Sequence, residues 1–309
     1  MIVFKYSRKR QFTTVAFGHD AIQIAGGGPS EPVSIWEFVT GAEMYRVERV
    51  VAHPTQSIAF HPGAPWLYAA ASYGLTAFNM ETGDLRELWD HEEFAQNLTV
   101  DPTGHRLVGA RHKLWTNQRE LRWLTCVDIT NPGKPVREWD RNGEFANLVA
   151  FFPDGTRFAA GHAYDYRAPE NGPRITIHMA DTGEVVRTLR GEGTDAEQLA
   201  VSLRGETLVT RTNRRLYVFD LARPTAPPRE LKNDGKKHFT GIAFHPSGRY
   251  LAATSNDATV KLYDTTSWQV AKTFTWDIGR MRSIAFSPDG TLAAAGSDTG
   301  KVVVWDLDL

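Results

Sequence analysis

Residues Ser283 to Leu309 read SIAFSPDG-TLAAAGSD-TGKVVVWDLDL, and this stretch decides the fold. Ser283–Phe286 is an apolar strand, and Ser287-Pro288-Asp289-Gly290 places Pro and Gly where a type I turn uses them. Leu292–Gly296 forms a second strand of small residues. After the Asp298-Thr299-Gly300 turn, Lys301–Leu307 forms a third, β-branched one. Val302-Val303-Val304 is apolar on both faces, so this strand must be covered on both sides. A three-stranded unit cannot bury two faces alone and needs neighbours like itself.

Those neighbours are upstream. The Phe286 position, followed by a turn, recurs at Phe17, Phe60, Val100, Phe151, Val201 and Phe244, with gaps of 43, 40, 51, 50, 43 and 42 residues. The Trp305-Asp306 position recurs as Trp36-Glu37, Phe78-Asn79, Val127-Asp128, His178-Met179, Phe219-Asp220 and Tyr263-Asp264. Units of about 40–50 residues with four short strands each predict an all-β, seven-bladed β-propeller of antiparallel blades spanning 1–309 as one domain. Met44–Val51, Leu85–Trp89, Val136–Trp139, Val185–Leu189, Arg229–Leu231 and Val270–Trp276 are the fourth strands. The seventh unit has none after Leu309. Residues 1–7, with Ile2, Phe4 and Tyr6 alternating, are expected to supply it by pairing with Lys301–Leu307.

The chain resembles the WD-repeat family, and the resemblance covers essentially its whole length. Of four Trp-Asp dipeptides only Trp305-Asp306 ends a third strand; Trp89-Asp90, Trp139-Asp140 and Trp276-Asp277 fall at blade connections. The family's His, Ser/Thr, Asp and Trp set is largely missing: Asp257 is in place, but Tyr263 stands where Trp would, and although His91 is correctly offset before Val100, Val127 takes the Trp position of blade 3. The resemblance implies a non-catalytic scaffold that binds a protein or peptide.

Bulk properties exclude several classes. Net charge is −1 and the pI about 6.8, so no global field points to nucleic acid or an anionic membrane. One cysteine, Cys126, precludes an internal disulfide and suits a reducing compartment. The start MIVFKYSRKR has too short an apolar run for a signal peptide, and no run reaches the about 18 apolar residues of a membrane span. The expectation is a cytoplasmic monomer without cofactor.

Familiar chemical motifs fail on inspection. Gly26-Gly27-Gly28-Pro29 lacks a following Lys-Ser/Thr and a helix, and Gly296–Val302 runs into a strand, so neither is a phosphate loop. Asp181-Thr182-Gly183 is matched by Glu81-Thr82-Gly83 and Val39-Thr40-Gly41 and reads as turn chemistry. His61 and His245 are equivalent, but the histidines show no metal-binding spacing.

Extra length is confined to blades 3 and 4. Arg111, His112, Lys113, Trp115, Arg119, Arg122 and Trp123 crowd the connection between the second and third strands of blade 3, and Tyr164–Pro173 fills that of blade 4. In WD-repeat proteins these loops emerge on one face, and Trp, Tyr and Arg anchor interfaces. Arg111, Trp115, Trp123, Tyr164, Tyr166 and Arg167 are therefore the candidate partner-binding residues. The alternative is an enzyme resembling lactonase-like propellers, with its site at the axis near Asn97, Asn147, Gln198 and Arg282.

Overall fold

The computed structural model describes residues 1–5, 11–29, 31–47, 55–71, 74–89, 94–114, 120–130, 135–140, 146–162, 174–190, 196–223, 225–234 and 237–308. Their strands form seven four-stranded antiparallel sheets arranged as a ring of blades. Six sheets use consecutive strands. In the seventh, Ile2–Lys5 pairs with Lys301–Asp306, in the register Ile2↔Val304 to Lys5↔Lys301. The predicted closure is thus found. The inner strands are Thr14–Phe17, Thr55–Phe60, Phe94–Val100, Ala146–Phe151, Gln198–Val201, Phe239–Phe244 and Met281–Phe286, each ending on the repeated Phe or Val.

The apolar side chains fall into seven clusters, one at each junction between neighbouring blades. At the closing junction Phe4, Phe12, Val15, Phe17, Ile24 and Trp36 meet Ala294, Val302 and Val304. Val302, Val303 and Val304 are all fully buried, two in that cluster and Val303 in the one facing blade 6. A strand that is apolar on both sides is therefore filled from both sides. The N-terminal strand follows the same rule: Phe4 is buried against Trp36 and Ile2 packs beside it, while Val3 packs against the opposite cluster.

At three junctions, hydrogen bonds lock one blade to the next at matching positions. One residue of the outer strand donates to the carbonyl just past the third strand of the following blade: Tyr45 Oη to Met80 O (2.6 Å), Arg187 Nη1 to Leu221 O (2.7 Å) and Lys272 Nζ to Leu307 O (3.0 Å). Three unlike side chains make the same bond because the repeat brings any long donor there to the same carbonyl. On the turns, His61 and His245 donate from Nε2 to Gly104 O (2.9 Å) and Gly290 O (2.8 Å) of the next blade. Their Nδ1 atoms accept backbone N–H bonds from Gly63 and Ser247. These equivalent histidines thus serve as blade-to-blade latches.

The turn reading of the Thr-Gly motifs also holds. Gly41, Gly83 and Gly183 all adopt left-handed φ values of 71–76°, which glycine tolerates without strain. Cys126 is buried between blades 3 and 4.

Truncating Phe4 to Ala should remove a buried ring from the closing junction at a cost of about 3 kcal/mol. Chemical denaturation should show the loss; a midpoint equal to that of the parent chain would show that the N-terminal strand does not hold the ring.

Candidate functional site

The position four residues before each repeated Phe or Val is polar in every blade: Thr13, Gln56, Gln96, Asn147, Glu197, Thr240 and Arg282. In five blades the pairing with the second strand skips this residue, so that Gln56, Gln96, Asn147, Thr240 and Arg282 sit on β-bulges. A bulge sets two residues against one and re-aims the extra side chain. Here it re-aims a polar side chain at the start of five of the seven inner strands, where the blades converge.

The mouth they surround at blades 5 to 7 and 1 is a cavity of about 450 Å³. Its walls are Thr13, Glu197, Arg211, Asn213, His238, Phe239, Thr240, Asn256, Arg280 and Arg282. Arg211, at the end of the second strand of blade 5, is buried, and its Nη1 bonds both the Glu197 carboxylate and Phe239 O (3.0 Å). Burial pushes its guanidinium pKa down, and Glu197 opposes that shift. Asp298 accepts the backbone N–H of Arg280 (2.9 Å) and stands 3.6 Å from Arg282 Nη2. At the rim, Asp257 pairs with Lys237 at 2.8 Å. Burial alone would raise the Asp257 pKa, but hydrogen bonds from Lys237, Thr259 and Ser255 outweigh it and hold the carboxyl at about 2.

Of the axial residues named from sequence, two serve the frame. Asn97 Oδ1 accepts Val149 N–H of the next blade, and Gln198 bonds both the N–H and C=O of Ile242, all at 2.9 Å. Asn147 and Arg282 occupy bulges, with Asn147 Oδ1 buried and without a partner among the described residues. Arg211, Arg280 and His238 escape sequence reading because strand ends and inter-blade loops carry no repeat of their own. Glu197 could have been found by counting four residues back from Val201.

Blade 3 builds the second feature. Its second and third strands, Arg106–Leu114 and Glu120–Asp128, run nine residues each and stay paired as far as Leu114↔Glu120. The outer strand, Pro135–Asp140, follows them only to Trp123↔Asp140. The inner strand pairs as far as Phe94↔His112, so the hairpin projects about 7 Å beyond the blade, at roughly 3.3 Å per residue. Arg111 braces its base. The guanidinium is buried between Trp89 (4.7 Å to the ring centroid) and Trp123 (5.3 Å), and Nη1 donates to Thr125 Oγ1 at 3.1 Å. Gly109 is required beneath it, because a Cβ there would meet the Trp89 ring at 2.2 Å. Of the candidate partner-binding residues, the structure thus brings Arg111 and Trp123 together inside the blade. Trp115, Tyr164, Tyr166 and Arg167 lie outside the described residues.

In blade 4 the Trp position holds His178, fully buried and stacked on Phe158 at 4.8 Å. Nδ1 faces Gly183 O (3.1 Å), which requires it to donate, so in the neutral ring Nε2 accepts from the Thr176 hydroxyl (2.6 Å). His162 Nε2 in turn donates to the same hydroxyl at 2.7 Å. This His-Thr-His chain ties the blade by other means than the Trp-centred set. No group of three or more His, Cys, Asp or Glu close enough to hold a metal ion occurs among the described residues. Nor does any described helix reach the length and apolarity needed to cross a bilayer.

The family model described as "WD domain, G-beta repeat" matches residues 229–264 and 269–306, which include most of blades 6 and 7. The chain is similar to the target of rapamycin complex subunit wat1 of Schizosaccharomyces pombe, 22% identical over 43% of this chain and 56% of that protein. It is similar to protein tipD of Dictyostelium discoideum, 21% identical over 94% and 46%. Ribosome biogenesis protein BOP1 of Rattus norvegicus is 23% identical over 91% and 36%. The matches span only about a third to a little over half of the length of these relatives.

Arg111→Ala should cost about 3 kcal/mol, through the cation–π contacts and the Thr125 bond, and should alter tryptophan fluorescence as the two indoles lose their filler. Unchanged stability and emission would refute the bracing role. Asp257, with its depressed folded pKa, stabilises the protein above the unfolded carboxylate value near 4 and loses that contribution as pH falls towards about 2. Asp257→Asn should accordingly lower Tm at neutral pH, by about 2 kcal/mol of stability, and make little difference near pH 2. A pH-independent difference between the two proteins would contradict the assignment.

Proposed function

We propose that the chain is a divergent member of the WD-repeat β-propeller family and serves as a protein- or peptide-binding scaffold. Its partner docks on the loop face built by blades 3 and 4. The observation that carries this reading is the projecting blade 3 hairpin, braced at its base by Arg111 between Trp89 and Trp123. Strands paired as far as Leu114 and Glu120 carry less of the ordering cost that a loose loop incurs on binding. Trp115 belongs to that tip in sequence, and Tyr164, Tyr166 and Arg167 belong to the corresponding connection of the adjacent blade. Aromatic and arginine side chains of this kind dominate interface energetics. In this assignment Arg111 and Trp123 support the contact, and the other four residues make it.

The relatives lend support of a general kind. Their names describe a subunit of a complex and a ribosome biogenesis protein. In this reading the propeller works in the cytoplasm as a monomer, without a cofactor and without nucleic acid as its ligand.

The tagged chain should retain a specific set of proteins from a lysate of its source, and Trp115→Ala combined with Tyr166→Ala should release them while leaving Tm unmoved. Full retention by the double variant would reject the site.

A further inference from the structure

The two histidines of blade 4 are held in one protonation state. His162, His178 and the Thr176 hydroxyl between them are all buried. His178 Nδ1 donates to Gly183 O (3.1 Å), so its Nε2 accepts from the Thr176 hydroxyl (2.6 Å), and the same oxygen accepts from His162 Nε2 (2.7 Å). These bonds run from the left-handed turn at Gly183 to His162, the last residue of the second strand. A second proton on His178 would sit on Nε2 and aim an N–H at an oxygen that already receives one, and the hydroxyl proton of Thr176 would be turned out of its bond. A second proton on His162 would sit on Nδ1, which is buried. Either proton would place a charge beside apolar groups. Phe158, stacked on His178 at 4.8 Å, belongs to the cluster of Val108, Leu124, Cys126 and Val149.

Among the described residues, the groups packed around the chain of bonds favour its neutral form. Blade 3 brings up the Cys126 thiol and Arg106, which donates to Gly155 O (2.9 Å). Arg174 and Arg190 stand opposite each other in register on the third and outer strands of blade 4 itself. These arginines repel an added positive charge. The carboxylates nearby are already engaged: Asp101 and Asp181 by Arg106, Asp128 by Thr130, and Glu197 of blade 5 by Arg211. On the blade 5 side, Tyr217 packs with Ile175 and Ile177, and Arg187 is spent on Leu221 O.

We propose that His162, Thr176 and His178 form an acid-released lock: blade 4 is fastened while both imidazoles are neutral and loosens when either gains a proton. Histidines of the unfolded chain take up protons as pH falls below about 6.5, whereas the closed lock excludes them. The unfolded state then binds more protons, so the stability that the lock contributes is full above about pH 6.5 and is lost as pH falls below it. That is the range in which histidine switches operate. The lock does not depend on where a partner docks.

Chemical denaturation of the full chain between pH 7.5 and pH 5 tests the lock. The unfolding constant of the parent should rise about tenfold per pH unit for each imidazole kept neutral. His178→Phe keeps a ring against Phe158 but has no nitrogen to protonate. It should be less stable at pH 7.5, with a pH dependence shallower by about tenfold per unit. Parent stability that is flat over this range, or an unchanged slope in the variant, would overturn the proposal. Should His178→Phe not fold, His162→Gln, whose amide can still donate to Thr176, should show the same shallower slope, and an unchanged slope there counts equally against the lock. Hydrogen exchange of the parent locates the effect. At pH 5 the protection factors of Arg157–His162 and Arg174–Met179 should fall, while those of the equivalent Tyr250–Ser255 and Thr259–Asp264 of blade 6 hold. Equal loss in both blades, or none in blade 4, would overturn it.

Discussion

Every apolar cluster in this protein belongs to two blades at once, and that shared ownership is the constraint on which the rest depends. A blade that is apolar on both faces has nowhere to put them except against copies of itself. A row of such blades would always leave two faces exposed at its ends, and only a closed ring leaves none. Pairing Ile2–Lys5 with Lys301–Asp306 completes the last blade, and Phe4 then fills the junction with blade 1. The closure is therefore part of the core and more than a fastening at its edge.

Polar groups reinforce the same junctions. The outer latches from Tyr45, Arg187 and Lys272, the turn latches from His61 and His245, and the inner clasps from Asn97 and Gln198 all satisfy backbone groups of the following blade. Buried carbonyls and N–H groups are costly to leave unmade, so each latch both removes a penalty and sets the angle between neighbours. The repeat keeps the geometry of these bonds and varies their chemistry. This is why blades can keep their shape without the side-chain set usual in WD-repeat proteins, using Arg111 between two indoles in blade 3 and His162-Thr176-His178 in blade 4.

A frame held so fully by its junctions leaves some groups over, and those are the ones open to function. Glu197 and Arg211 satisfy each other, and Asn97 and Gln198 satisfy the frame. Arg282 is paired with Asp298 at 3.6 Å, and the long hairpin of blade 3 extends beyond what its blade needs. Rigid scaffold below and unspent recognition groups above is the division of labour expected of a binding propeller.

The amino-acid pattern alone determined the architecture. Periodic Phe and turn positions, strands apolar on both faces and a last unit lacking its fourth strand can be met together by seven blades closed through residues 1–7, because burial of both faces permits little else. The Thr-Gly turns were legible for the same local reason, since a left-handed φ calls for glycine at a set place. What the pattern could not convey was the use of each polar side chain. Asn97 and Asn147 look alike in the sequence, yet one closes a bond to the next blade and the other sits on a bulge. Arg111 reads as a surface contact and is in fact buried between Trp89 and Trp123. Arg211 is far along the chain from Arg280 and Arg282 and joins them only in the lining of the axial cavity. Register, bulges and contacts between blades decide these matters, and they exist only once the ring has closed.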